Sequence, residues 1–183
     1  MCPSYARIRL PIAQALTRFS NWIGLPALGP PKDLKWNKIN DVACEGGAWR
    51  SLVAVFIYES REWTVFADQT GYLSSISPDR WRALAGSDEL IFAGYNDAVP
   101  CGELIVVRSG RVIREFLDDK QDPSNNVDRG QLAFENEAPI TDWVGAASFV
   151  DSDEIVSYPE SGLLWMFGKL IKPGADNKPR AST

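Results

Sequence analysis

Asp122, Ser124, Asn126 and Asp128 set four oxygen donors at alternate positions of DPSNNVD, the spacing at which an EF-hand loop offers its first calcium ligands. The rest of the loop breaks the pattern. Val127 stands where the sharp turn needs glycine, Ala133 stands where a bidentate glutamate should close the shell, and Pro123 follows the first ligand. The stretch therefore reads as a solvated turn whose Asp and Asn side chains bond their own backbone. Two further carboxylate pairs, Asp118 with Asp119 and Glu135 with Glu137, have the residue types of acid/base hydrolysis. Nothing apolar interrupts Asp118 to Asp122 to lift a carboxyl pKa, so an exposed acidic loop is the expectation. Cys101, in Val-Pro-Cys-Gly, has the wrong company for a nucleophile: the chain contains no histidine at all. That absence also removes Ser-His-Asp triads, Cys-His pairs and H-E-x-x-H zinc sites. Gly46-Gly47 lacks the Lys and Ser/Thr of a phosphate loop and reads as a turn. No metal and no cofactor are expected.

The same elimination applies to compartment and partners. Cys2, Cys44 and Cys101 are odd in number and unpaired in spacing, which argues for reduced thiols over a disulfide framework or zinc knuckle. The opening MCPSYARIRLPIAQAL has no continuous apolar stretch after a basic start, so it does not read as a secretory signal, and a cytoplasmic protein is expected. The apolar run Leu163 to Phe167, with Leu170 and Ile171, is far short of the roughly 20 residues of a spanning helix. No membrane partner is expected. An acidic chain without a basic stripe is repelled by phosphates, so nucleic acid is not expected either.

These residues need a scaffold, and 183 residues at 45% hydrophobic with seven Trp suffice for one domain, taken as residues 1–171 with a disordered tail at 172–183. Ile12, Leu16, Phe19 and Ile23 have helical spacing between Pro11 and Gly24, predicting an N-terminal helix. Leu25 to Asp33 reads as a proline-stiffened surface connection. The runs WRSLVAVFIYES and EWTVFADQT predict a hairpin around Ser60-Arg61, and Ser77-Pro78 predicts a short helix carrying Trp81 and Leu84 and stopped at Gly86. ELIFAGYND predicts another strand. Leu104–Val107 and Val112–Leu117 predict a hairpin closed at Ser109-Gly110. A short helix is expected over 139–149, and LLWMFGKLI is an apolar segment of unassigned type. Strands in clusters with short helices and no βαβ alternation predict an α+β fold on an antiparallel sheet.

Charge supplies the functional signal. Residues 115–160 hold twelve acids against Lys120 and Arg129, within a chain of net charge −5. Two readings stand: neutralisation by bases elsewhere in the fold, or steering of a basic partner. Trp49, Phe56, Trp63, Phe66, Trp81 and Phe92 fall inside predicted elements and read as core. Tyr95, Trp143 and Tyr158 adjoin carboxylates, as in Tyr95-Asn96-Asp97 and Asp142-Trp143, and suit interface anchors, although core packing is the leading role for Trp143.

Taken together, EWTVFADQTG, IFAGYNDAVPCGELIVV, VIREFLDD and DWVGAASFVDSDE give residues 49–154 a texture that resembles bacterial immunity proteins of contact-delivered toxin systems. The resemblance implies a non-enzymatic cytosolic protein that binds a cognate, basic toxin domain and covers its active site. It would meet that toxin through Asp118, Asp119, Asp122, Asp128, Glu135, Glu137, Trp143, Tyr95 and Asp97. Two other classes fit the same composition: an acidic adaptor or regulatory module, and a hydrolase working through carboxylates.

Overall fold

The computed structural model describes residues 4–43, 52–154 and 159–168. Over these residues the chain is α+β, built on a nine-stranded antiparallel sheet. In chain order the elements are β1 (Ser4–Ile8), α1 (Ile12–Ile23), β2 (Lys32–Lys35), α2 (Ile39–Ala43), β3 (Leu52–Ser60), β4 (Trp63–Asp68), α3 (Pro78–Ala85), β5 (Leu90–Asn96), β6 (Cys101–Arg108), β7 (Arg111–Asp119), β8 (Val127–Arg129), α4 (Trp143–Ser152) and β9 (Ser161–Gly168). The strand order across the sheet is β2-β9-β3-β4-β1-β5-β6-β7-β8.

Both faces of the sheet are covered. On one, α1 presses Ala15, Phe19 and Ile23, and α3 presses Trp81 and Leu84, onto Phe66, Phe92, Ile105 and Val107. Phe19 stacks on Phe66 with ring centroids 4.4 Å apart, and Trp81 stacks on Phe92 at 4.8 Å. The other face carries Tyr5, Phe56, Trp63, Val65, Leu104, Val106 and Phe116 under α4 and the segment before it. Burial on two sides explains why β3 reads as an almost unbroken apolar run rather than an alternating one.

The predicted hairpins form. Arg108 faces Arg111 across Ser109 (φ 50°) and Gly110 (φ 71°), the two positive φ angles that a tight two-residue turn demands. The other turn sits one residue later than expected, at Arg61-Glu62, because Ser60 pairs with Trp63. Trp63–Asp68 belongs to the same sheet as β6 and β7, separated from them by β1 and β5.

Four elements differ from the sequence expectation. β1 lies at the centre of the sheet in a segment assigned no structure. β2 is an edge strand in and beyond the predicted surface connection, a position that tolerates the prolines before it. The apolar segment near the end is β9, between β2 and β3. α4 begins at Trp143 rather than at Pro139, because Asp142 is its N-cap and accepts the Gly145 N–H at 2.8 Å. Cys2, Cys44, Gly46-Gly47, Trp49, Tyr158, Leu170, Ile171 and the tail 172–183 lie outside the described residues. No described helix is long and apolar enough to cross a membrane.

Candidate partner-binding site

Helix α4 lies across the strands rather than along them, and four contacts fix it there. Over β7, the Asp118 carboxylate accepts the Trp143 N–H at 2.9 Å and the Asn126 amide at 3.0 Å, and pairs with Lys120 at 2.8 Å. Burial pushes this carboxyl up, but the bonds from Lys120 and the Trp143 N–H outweigh it and hold the pKa below the usual carboxylate range. Over β6 the helix touches the sheet at Gly102, where an added Cβ would stand 2.7 Å from the Ala146 Cβ and 2.8 Å from the Trp143 Cα. Only glycine permits that approach. Over β5 the Tyr95 hydroxyl donates to Asp151 at 3.1 Å. Over β1 the residue after the helix, Asp153, pairs with Arg7 at 3.1 Å and accepts the Tyr5 hydroxyl. Burial, with the Asp153 charge beside it, drives the Tyr5 pKa well above that of an ordinary tyrosine.

The segment leading into α4 is held by one buried side chain. Arg114, on β7, directs Nε and Nη2 to Glu135, with Nη2–Oε1 at 2.9 Å. Nη2 also reaches the Ile140 carbonyl at 3.0 Å, while Nη1 reaches Asp128 and the Arg129 carbonyl. Glu135 in turn accepts the Leu132 N–H at 2.7 Å. The guanidinium thereby ties β7, β8 and the 132–140 segment together, with both Arg114 and Glu135 about 2% exposed.

Between that segment and α4 opens a cleft of about 640 Å³, walled by Phe134, Pro139, Ile140 and Phe149, with Arg7, Arg61, Asp153 and Glu154 as its charged groups. Phe134 stacks on Phe149 at 5.5 Å and is nonetheless 44% exposed, as is Val144 at 50%.

The residues singled out by sequence divide into two groups. Tyr95, Asp97, Asp119, Asp122 and Trp143 meet at one end of the sheet: Asn96 pairs with Cys101, Cys101 with Asp119, and the Lys120 N–H bonds the Pro100 carbonyl. Asp97 and Asp122 are exposed there, and Tyr95, Asp119 and Trp143 are half-buried. Asp128, Glu135 and Glu137 lie at the Arg114 end, with Glu137 exposed. Asp118 and Glu135 are not surface charges, since both are buried in ion pairs that build the fold.

Of the twelve acids in 115–160, seven pair with a base: Glu115, Asp118, Asp128, Glu135, Asp153, Glu154 and Glu160. Asp119, Asp122, Glu137, Asp142 and Asp151 have no basic partner among the described residues. Five of the seven pair with four bases from outside the run, Arg7, Lys35, Arg61 and Arg114, so neutralisation from elsewhere in the fold accounts for part of the charge and not the larger part. Asp122, inside the would-be calcium loop, accepts the Asn125 amide at 3.0 Å and the Ser124 hydroxyl, so its oxygens serve the turn. Among the described residues no group of three or more Cys, Asp or Glu is placed to hold a metal ion.

Sequence reasoning passed over Arg7, Phe134 and Phe149. Tyr5 and Arg7 share one face of β1 and Arg9, just past its end, continues the alternation along SYARIR, a period-two signal present in the sequence. The meeting of Phe134 with Phe149 is tertiary and left no local trace. No protein-family model, curated protein or solved structure matches the chain.

Proposed function

We propose that the protein is a non-enzymatic immunity protein that binds a cognate antibacterial toxin domain and covers its active site through the end of the sheet where α4 begins. One observation supports this reading above the others. Asp97, Asp119, Asp122 and Asp142 are gathered there without a basic partner among the described residues, beside the aromatic anchors Tyr95 and Trp143 and the exposed Val144. Charges of one sign on one surface accelerate encounter with a basic partner, while the aromatic groups, desolvated on docking, set how long the complex lasts. Asp128, Glu135 and Asp118 shape this surface from below by holding β8, the 132–140 segment and α4.

The test uses the polypeptide encoded by the toxin-bearing open reading frame expected beside this gene. Asn replaces Asp97, Asp119, Asp122 and Asp142 together, which removes charge while keeping the oxygen that accepts the Gly145, Gln121 and Asp122 N–H groups. Association should slow about ten-fold or more at low salt, and its salt dependence should flatten, as electrostatic steering requires. An unchanged rate and salt slope, or full protection of cells by the quadruple variant under excess toxin, would remove this surface from the interface.

A further inference from the structure

A second groove, of about 400 Å³, shares Arg7, Phe134 and Phe149 with the α4 cleft and continues over Ile91, Val106 and Leu132 to Arg108. Its floor is a cross-strand row. Arg7 on β1 opposes Ile91 on β5, which opposes Val106 on β6, and Arg108 lies two residues along β6 on the same face. Strand spacing and rise put the Arg7 and Arg108 α-carbons roughly 12 Å apart, so two guanidinium side chains reach over one apolar strip. Among the described residues, no carboxylate lines this groove. The carboxylates that pair with its two arginines, Asp153 and Glu89, stand outside the lining.

The two arginines are incompletely used. Arg7 is 9% exposed, spends Nη2 on Asp153, and lies with its Cζ 4.6 Å from the centre of the Trp63 ring. Its buried Nε has no hydrogen-bond partner. That nitrogen is itself closed to solvent, so an acceptor in the groove meets the part of the Arg7 side chain that lines it. The carboxylate facing Arg7, Asp153, is already divided between Arg7 and the Tyr5 hydroxyl. Arg108 is 57% exposed and meets Glu89, which also pairs with Arg9 at 3.3 Å, so one carboxylate serves two guanidinium groups.

From this geometry we infer a binding site for a small amphiphilic carboxylate, its apolar body on Ile91, Val106, Leu132 and the Phe134–Phe149 stack and its carboxylate between Arg7 and Arg108. The groove falls in the size range of small-molecule sites, and its walls are mostly apolar with a few convergent polar groups. The site does not depend on the toxin-binding reading: it uses the Arg7–Arg108 row of the sheet, away from Asp97, Asp119 and Asp122.

Decanoate is the probe, decanol its uncharged control, and binding is read by calorimetry. Arg108→Gln removes one charge from an exposed position, and Ala133→Trp fills the groove from its exposed lip. Both variants should fold, which their melting temperatures without ligand will report. Decanoate should bind saturably and raise the melting temperature; each variant, and the change to decanol, should weaken binding about ten-fold or more, the loss expected when a charged hydrogen bond or the cavity itself is removed. The site is overturned if decanoate shows no saturable binding at millimolar concentration, if decanol binds as tightly, or if both variants bind decanoate like the parent protein.

Discussion

Replacing Arg114 by Met is the sharpest test of how the cleft wall is held. The substitution keeps the unbranched apolar stem and removes the guanidinium with its five donors. Glu135, 2% exposed, then has the Leu132 N–H as its remaining described donor, and the Ile140 and Arg129 carbonyls each lose one. Asp128 suffers little, because it is 60% exposed and can be hydrated. Breaking a buried pair from one side costs about 3–5 kcal/mol, chiefly through the abandoned charge. For a chain of this size that corresponds to a fall in melting temperature of roughly 6–20 °C. Glu135→Leu alone should also destabilise, because Arg114 Nε loses its partner and the buried guanidinium keeps only Asp128 as a counter-charge. The double variant Arg114→Met/Glu135→Leu strands neither charge, so it should be no less stable than Arg114→Met, and the two losses should be far from additive. Urea unfolding followed by tryptophan fluorescence measures all four corners of the cycle. Additive losses, or a single variant within about 1 kcal/mol of the parent, would refute the account of Arg114 as the tie between β7 and the 132–140 segment.

Gly102→Ala should force α4 off the sheet and cost about 1–3 kcal/mol, since the atoms it meets are backbone or Cβ and cannot swing away; unchanged amide protection in α4 would contradict this. Glu103, half-buried on the α1/α3 face of β6, has its carboxyl pushed up to about 8 by burial. Its proton is therefore held more tightly folded than unfolded, so this group's contribution to stability is complete at acid pH and is lost as pH rises through about 8. Unfolding free energy should fall by up to about 1.4 kcal/mol per pH unit between the two pKa values, and Glu103→Gln should flatten that slope; parallel pH profiles for the two proteins would remove Glu103 as its source. Tyr95→Ala or Trp143→Ala should quicken dissociation of the toxin complex more than they slow its formation, which surface-capture kinetics would show, and an effect confined to the association rate would mean that neither side chain anchors the interface.

The parts of this structure legible in the sequence were those written within a few residues. Ser109-Gly110 between two β-branched runs specified a hairpin, and Pro78 after Ser77 specified a helix start, because each obeys a local steric rule. β1 escaped notice because it is five residues long and puts Arg7 in a buried position, where charge on sequence evidence argues against a strand. The acidic run misled for a related reason. Charge along a chain says nothing about where the compensating cation sits, and Arg7, Arg61, Arg114 and Lys35 all come from segments before Glu115. Asp118 and Glu135 therefore looked like surface acids and are structural anchors. Asp97, Asp119 and Asp122, which do share one end of the sheet, are assembled by the pairing of β5 with β6 and β6 with β7, of which the second was readable as a hairpin and the first only as a strand.

The central position of β1 bears on how the chain reaches this state. Its residues pair with Thr64–Ala67 on one side and Leu90–Gly94 on the other, and among the described residues no other strand joins β2-β9-β3-β4 to β5-β6-β7-β8. The β3–β4 hairpin and the β5-β6-β7-β8 meander can zip locally and β9 must reach back to β2 and β3, but the union of the two blocks waits on a short segment finding two distant partners at once, a non-local closure of the kind that slows folding. Until then each block has a bare strand edge, and two chains stalled at that stage could trade first strands. Insertion of β1 is thus the step at which two half-sheets become one cooperative unit, and a free peptide of its sequence, supplied to a chain lacking it, should rescue folding by filling the gap.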